Sequence, residues 1–232
     1  MKKLTVFCAA ACLAASAAAQ NHPDLHEVLD RQKGRNLIEI PKGTYTLDVR
    51  SNGPYKFHNL TDVHINGNGS TVICNNQEQA FSFYNCVRVE LRDLTIDYDP
   101  LCFTQGEITV VAEDGSWFDV RIDEGYPVTG LAANRVQFYD PQTRLLKRNS
   151  ITTYTSNYSA LKQLGHNLFR AVKNGTWSAG EQVGDLVVMD VKTDKPNAGV
   201  HTVMLNKCYN TKLENVTVYG SNTFSFFEKE GY

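Results

Sequence analysis

Two aspartates separated by a single residue, Asp97 and Asp99 in Ile96-Asp-Tyr-Asp-Pro100, have the type and spacing best suited to acid–base chemistry in this 232-residue chain. On an extended strand, residues i and i+2 point to one face about 7 Å apart. That is the separation, roughly 6.5 to 9.5 Å, at which one carboxyl protonates a leaving oxygen while the other activates water. The same spacing suits an acidic turn, with Asp97 bonding the turn before Pro100 and Asp99 in solvent. Glu228 and Glu230 are a second pair, open to two readings of their own: the wall of a substrate groove, or a solvated turn. His201 stands near the start of a strand, either touching substrate hydroxyls or serving the structure alone. Asp93, Asp97 and Asp99 together make a third acidic set, with no Arg or Lys motif beside it. Trp117, Trp177, Tyr126 and Tyr158 present flat rings that either stack on sugars or fill a core.

Composition narrows the field. The net charge of -2 provides no basic surface for nucleic acid. Past the N-terminus no apolar run is long enough to span a bilayer. Residues 1–19 read as a secretory signal: Lys2-Lys3, the apolar run Leu4 to Ala15, and Ala17-Ala-Ala19 before Gln20, with cleavage after Ala19. The mature protein is therefore expected to be secreted or periplasmic. It keeps Cys74, Cys86, Cys102 and Cys208, whose spacing fits neither a metal site nor a dense disulfide framework. Cys86 and Cys208 fall at similar places in two copies of a repeat, which favours buried apolar positions; one disulfide in an oxidising compartment stays open.

The elements that position these side chains repeat. In Asn85 to Asp97, Val87, Val89 and Leu91 alternate with Arg88, Glu90 and Arg92, the period of a half-buried strand. After a polar break at Asp93 comes Leu94-Thr-Ile96. Upstream, Asn59 to Gly67 has the same shape, with Val63 matching Val89 and Ile65 matching Leu91 at 26 residues. Downstream, Leu213-Glu-Asn-Val-Thr-Val218 matches Leu91-Arg-Asp-Leu-Thr-Ile96. Such a period marks a solenoid, in which no unit buries its apolar face alone. Asp24 to Gly34 reads as a short helix, N-capped by Asp24, with Leu25, Val28 and Leu29 on one face; followed by a strand, a Pro41-Lys-Gly43 turn and another strand, it suits the capped start of a parallel β-helix.

Between Leu91 and Leu213 lie 122 residues, and one 26-residue coil leaves 96 to be explained. An insertion from about Gln105 to Pro196 accounts for them. Glu107–Val111, Trp117–Ile122, Val136–Tyr139 and Leu186–Val191 alternate as antiparallel strands, with turns at Glu113-Asp-Gly115 and Asp140-Pro141, which predicts a small barrel or sandwich. Ser159 to Val172, with Leu161, Leu164 and Leu168, reads as an irregular connection. The expected fold is all-β: a parallel β-helix with a short N-terminal capping helix and an inserted antiparallel β-barrel or sandwich. The expected parts are a signal peptide over 1–19, β-helix over 20–104 and 197–232, and the insertion over 105–196. The Asn-x-Ser/Thr triplets at Asn59, Asn157, Asn174 and Asn215 suit turns.

Ile40-Pro-Lys-Gly-Thr-Tyr45, Val63-His-Ile-Asn-Gly-Asn-Gly-Ser-Thr71 and Val89 to Asp97 resemble the opening coils of right-handed parallel β-helix proteins of the pectate-lyase-like superfamily. There Gly67 and Gly69 are expected to take positive φ where the chain turns. With Ile96-Asp-Tyr-Asp-Pro100, Gln105-Gly-Glu107, the insertion and the return near His201, the order of parts is similar to glycoside hydrolase family 110, exo-acting α-1,3-galactosidases. The resemblance implies inverting hydrolysis of terminal galactose on glycans, with no cofactor. It argues against Asp97 and Asp99 as the catalytic pair, because the family's essential aspartates lie on later coils. The catalytic acids are thus unknown and expected beyond Tyr232, which makes the chain an N-terminal part expected to hydrolyse little alone. Asp97, Asp99, His201 and Glu228 remain as substrate-binding candidates. The alternatives are a calcium-dependent polysaccharide eliminase of pectate-lyase type and a glycan-binding β-helix without catalysis. A carbohydrate is the expected partner under each.

Overall fold

The alternation of the repeats builds stacked parallel coils. A computed structural model describes residues 22–147, 158–175, 180–191, 201–221 and 223–231; the signal-like residues 1–19 lie outside these. The described chain starts at helix α1 (Leu25–Asp30), whose N-cap Asp24 accepts from the His26 amide at 3.0 Å. Leu25 and Leu29 are fully buried and Val28 packs beside them, so the helix covers the core of the first coil. Strands β1 (Leu37–Glu39) and β2 (Thr44–Leu47), the single turn α2 (Val49–Asn52), and strands β3 (Tyr55–His58), β4 (Thr61–Cys74), β5 (Phe81–Tyr84) and β6 (Val87–Tyr98) follow. After the insertion come β13 (Val203–Asn206), β14 (Lys212–Val218) and β15 (Phe226–Lys229), the numbers β7 to β12 belonging to the inserted strands described below.

One parallel sheet runs β1–β4–β6–β14, with β2 also on β4; the other runs β15–β13–β5–β3. Their inward side chains share one core. Val63, Ile65 and Val72 of β4 lie against Val89, Leu91 and Ile96 of β6, and the rings of Phe57 and Phe83 stack at 4.7 Å. Each such buried side chain is worth about 1.5–3 kcal/mol. The repeat pairs expected from sequence are register partners: Val63 with Val89, Ile65 with Leu91, and Leu91 with Leu213.

The corners explain the polar breaks. Thr61–Asn66 pairs with Val87–Arg92 and Ser70–Cys74 with Leu94–Tyr98, so Gly67-Asn68-Gly69 on one coil faces Asp93 alone on the next. Asp93 and, above it, Asn215 turn the chain at φ 56° and 51°. Gly69 takes φ 70° as expected, but Gly67 does not have positive φ. Its requirement is closeness: a Cβ there would strike the Asp93 carbonyl and come within 2.8 Å of Leu94 Cδ1.

The insertion leaves after β6. It consists of β7 (Phe103–Val111), β8 (Trp117–Ile122), β9 (Leu131–Tyr139), β10 (Tyr158–Gln163), β11 (Leu168–Lys173) and β12 (Leu186–Val191). They form one antiparallel sheet in the order β10–β11–β8–β7–β12–β9, with β10 returning to lie against β9. Ile108, Phe118, Val120, Val136, Phe138 and Met189 fill a core of its own. The expectation of an irregular connection over Ser159 to Val172 is corrected: β10 and β11 pair as a hairpin. The leucines misled because Leu164 sits in the turn and is exposed, whereas the inward positions are Phe169 and Ala171.

Candidate functional site

The junction where β6 gives way to the insertion gathers several flagged residues. Asp97 and Tyr98 close β6, and alternation turns Tyr98 inward and leaves Asp97 half-buried on the outer face. Asp97 Oδ1 accepts from the Tyr98 amide at 2.8 Å. Asp99 follows with its side chain exposed and its amide donating to the Cys74 carbonyl at 3.0 Å. The two carboxyls therefore sit in different surroundings. Tyr98 reaches across the junction: its Oη donates to the Glu78 carbonyl at 2.9 Å and lies 2.9 Å from Thr202 Oγ1. Burial pushes its phenol well above the ordinary range. Thr202 Oγ1 continues to Ser221 Oγ at 2.9 Å, and Gly220 lies close enough that a Cβ would sit 3.7 Å from Asp97 Oδ1.

His201, the neighbour of Thr202, is held by rings. Its imidazole stacks on Phe227 with centroids 4.2 Å apart and lies 5.3 Å from Phe224, while Nδ1 is 2.8 Å from Thr223 Oγ1. Burial lowers its pKa below the ordinary histidine value. The imidazole and the exposed Phe224 ring form an aromatic surface with polar ring nitrogens at its rim. The Phe224 and Phe227 contribution was not foreseen, because it comes from β15 and the segment before it, whereas His201 precedes β13.

The outer face of the longer parallel sheet carries a second cluster that the sequence reading passed over. The coil offsets place His64, Glu90 and Lys212 in one outward column. His64 Nδ1 is 2.9 Å from Glu90 Oε2, and Lys212 Nζ donates to Glu90 Oε1 at 3.3 Å and to Glu214 Oε2 at 2.6 Å. The His64 contact, then burial offset by Lys212, leaves the Glu90 carboxyl below its usual range; the Glu214 and Glu90 contacts raise Lys212. On the same sheet, beyond the corner, Thr44, Thr71, Thr95 and Thr217 are register partners across successive rungs. This is a broad polar face of carboxylate, ammonium, imidazole and hydroxyl groups. For the charged column the signal was available: the 26- and 122-residue offsets that match the apolar positions also relate His64 to Glu90 and Glu90 to Lys212.

The remaining candidates disperse. Glu228 is exposed on β15 opposite Leu205, an inward register position, and Glu230 turns the chain at φ 54° with Lys229 and Lys207 at 3.5 and 3.9 Å. Asp93 is occupied at its corner by Asn215 Nδ2 at 2.8 Å and Arg92 at 3.1 Å. Among the described residues no three His, Cys, Asp or Glu side chains are grouped to hold a metal ion, so Asp93, Asp97 and Asp99 are not gathered into a calcium site. Trp117 packs under the Arg170 guanidinium, 3.4 Å from the ring centroid, and Tyr126 packs on the inserted core. Tyr158 opens β10, and Trp177 lies outside the described residues. No helix among the described residues is long and apolar enough to cross a membrane. No protein-family model matches the chain, and a search of curated proteins found no matching sequence.

Proposed function

We propose that this chain serves an exported, carbohydrate-active protein of the inverting exo-α-galactosidase kind, acting on terminal galactose of glycans. The observation that carries the reading is the order of parts, a β-helix interrupted after Tyr98 by an antiparallel unit and resumed at Val203. Chemistry at the junction supports it. Sugars present hydroxyls and apolar ring faces, and His201 with Phe224 and Phe227 offers a ring surface near the half-buried hydroxyl of Ser221. Asp97 and Asp99 border the same junction as exposed or half-exposed acceptors.

The test is titration of the purified chain with α- and β-galactosyl oligosaccharides, together with an assay of galactose release from an aryl α-galactoside. Selective binding of α-galactosides, weakened at least fivefold by His201→Ala or Phe227→Ala, supports the reading. Equal indifference to both anomers, or calcium-dependent formation of unsaturated products from a uronic acid polymer, overturns it.

A further inference from the structure

Cys86 and Cys208 each stand two residues beyond a register pair, Tyr84 and Asn206. The ladder continues through them: the Asn85 amide donates to the Asn206 carbonyl at 3.0 Å, the Tyr209 amide donates to the Cys86 carbonyl at 2.9 Å, and Val87 bridges to Tyr209. The two cysteines therefore stack on adjacent coils, where parallel neighbours lie about 4.8 Å apart. That falls inside the roughly 4.4–6.8 Å range of Cα separations that a disulfide spans. Both side chains point inward, 0% and 1% exposed.

In this structure both are thiols. Cys86 Sγ donates to the Phe57 carbonyl at 3.1 Å and Cys208 Sγ to the Asn206 carbonyl at 3.4 Å. Burial first, and the neighbouring Cys208 thiol in addition, raise the Cys86 thiol above its ordinary range. The other two cysteines have different partners: Cys74 is in register with Tyr98, and Cys102 Sγ donates to the Gly220 carbonyl at 2.6 Å.

We propose that Cys86 and Cys208 are a disulfide-forming pair that clamps the coil re-entered after the insertion to the coil before it. The whole antiparallel unit lies between them, so the bond closes one loop around the insertion and links the coil before it to the coil after it. The chemistry is exchange with a small disulfide oxidant such as oxidised glutathione. The thiolate of one cysteine displaces one half of the oxidant, and the second cysteine then displaces the other half from the mixed disulfide. One S–S bond forms in the protein as one breaks in the oxidant, and the two thiol protons end on the two glutathione thiols released.

The inference is independent of the proposed carbohydrate chemistry, and its test uses the purified full chain. Protein refolded with oxidised glutathione is alkylated, digested and mapped by mass. The expected result is a linked Cys86–Cys208 peptide pair, two hydrogens lighter than its separate halves, with Cys74 and Cys102 still alkylated. The melting temperature is expected to rise by roughly 5–15 °C and to fall back with dithiothreitol. A Cys74→Ala/Cys102→Ala chain is expected to keep both the link and the shift, and Cys208→Ala to lose them. Should Cys208→Ala fail to fold, the peptide map of the unaltered chain decides. Four alkylated cysteines after oxidative refolding, or a link that involves Cys74 or Cys102, would overturn the proposal.

Discussion

Gly67 illustrates how a single position is constrained by the coil above it. The chain could place many residues at its backbone angles, but a side chain there meets the Asp93 carbonyl. Gly67→Ala is expected to destabilise the protein by about 1–3 kcal/mol through overpacking, read by urea denaturation; an unchanged midpoint would mean that the corner yields freely. His201 supplies a second residue-scale expectation. Burial disfavours its charged form, so its NMR titration midpoint should fall below the ordinary histidine value of about 6.5. The sign follows from linkage: with the folded pKa depressed, its contribution to stability is present above the unfolded pKa and is lost as pH falls through the folded one. Phe227→Ala should move that midpoint back toward 6.5, and a midpoint above the unfolded value would refute the account. Asp97 and His201 were visible in the sequence as polar residues at strand ends; their shared junction was not, because Tyr98 and Thr202 meet across 104 residues of chain.

At the scale of elements, the strands persist because their corners are specified. Asn59 and Asn85 both take left-handed φ, at 56° and 53°, and Asn85 Nδ2 donates to Asn59 Oδ1 at 2.8 Å. A β-branched residue in that conformation costs about 1–2 kcal/mol. Asn85→Val should therefore destabilise more than Asn85→Gly, which keeps the φ and loses only the side-chain bond; thermal melts that reverse this order would sink the corner argument. In the inserted unit, Lys173 at the end of β11 and Glu181 before β12 form an ion pair with side chains 0% and 2% exposed. Lys173→Ala strands a buried carboxylate and is expected to cost about 3–5 kcal/mol, whereas the double change Lys173→Met/Glu181→Leu should recover most of it. Urea midpoints of the single and double variants check this, and a double variant no better than the single would show that the pair itself is needed. The hairpin containing Lys173 was illegible in sequence because its inward positions, Phe169, Ala171 and Lys173, mix a charge and a small residue into the apolar pattern.

For the whole molecule, burial is graded along the solenoid axis. β4 and β6 have partners on both sides and inward residues that are almost wholly buried, whereas β14 and β15 lie at the ends of their sheets with mostly half-buried or exposed residues. Native-state hydrogen exchange should show the strongest protection in β4 and β6 and the weakest in β14 and β15; uniform protection along the axis would contradict it. What the sequence determined by itself was whatever recurs along the chain. The 26-residue offset sets the coil, the alternation sets inside and outside, and the 122-residue offset betrays the insertion, because each depends on backbone periods that every copy repeats. Tertiary structure alone decided the contacts made once: Gly67 against Asp93, His201 against Phe224 and Phe227, Tyr98 on Thr202, and β10 against β9. Those contacts join residues with no common period, and only the stacking of one coil on another brings them within reach.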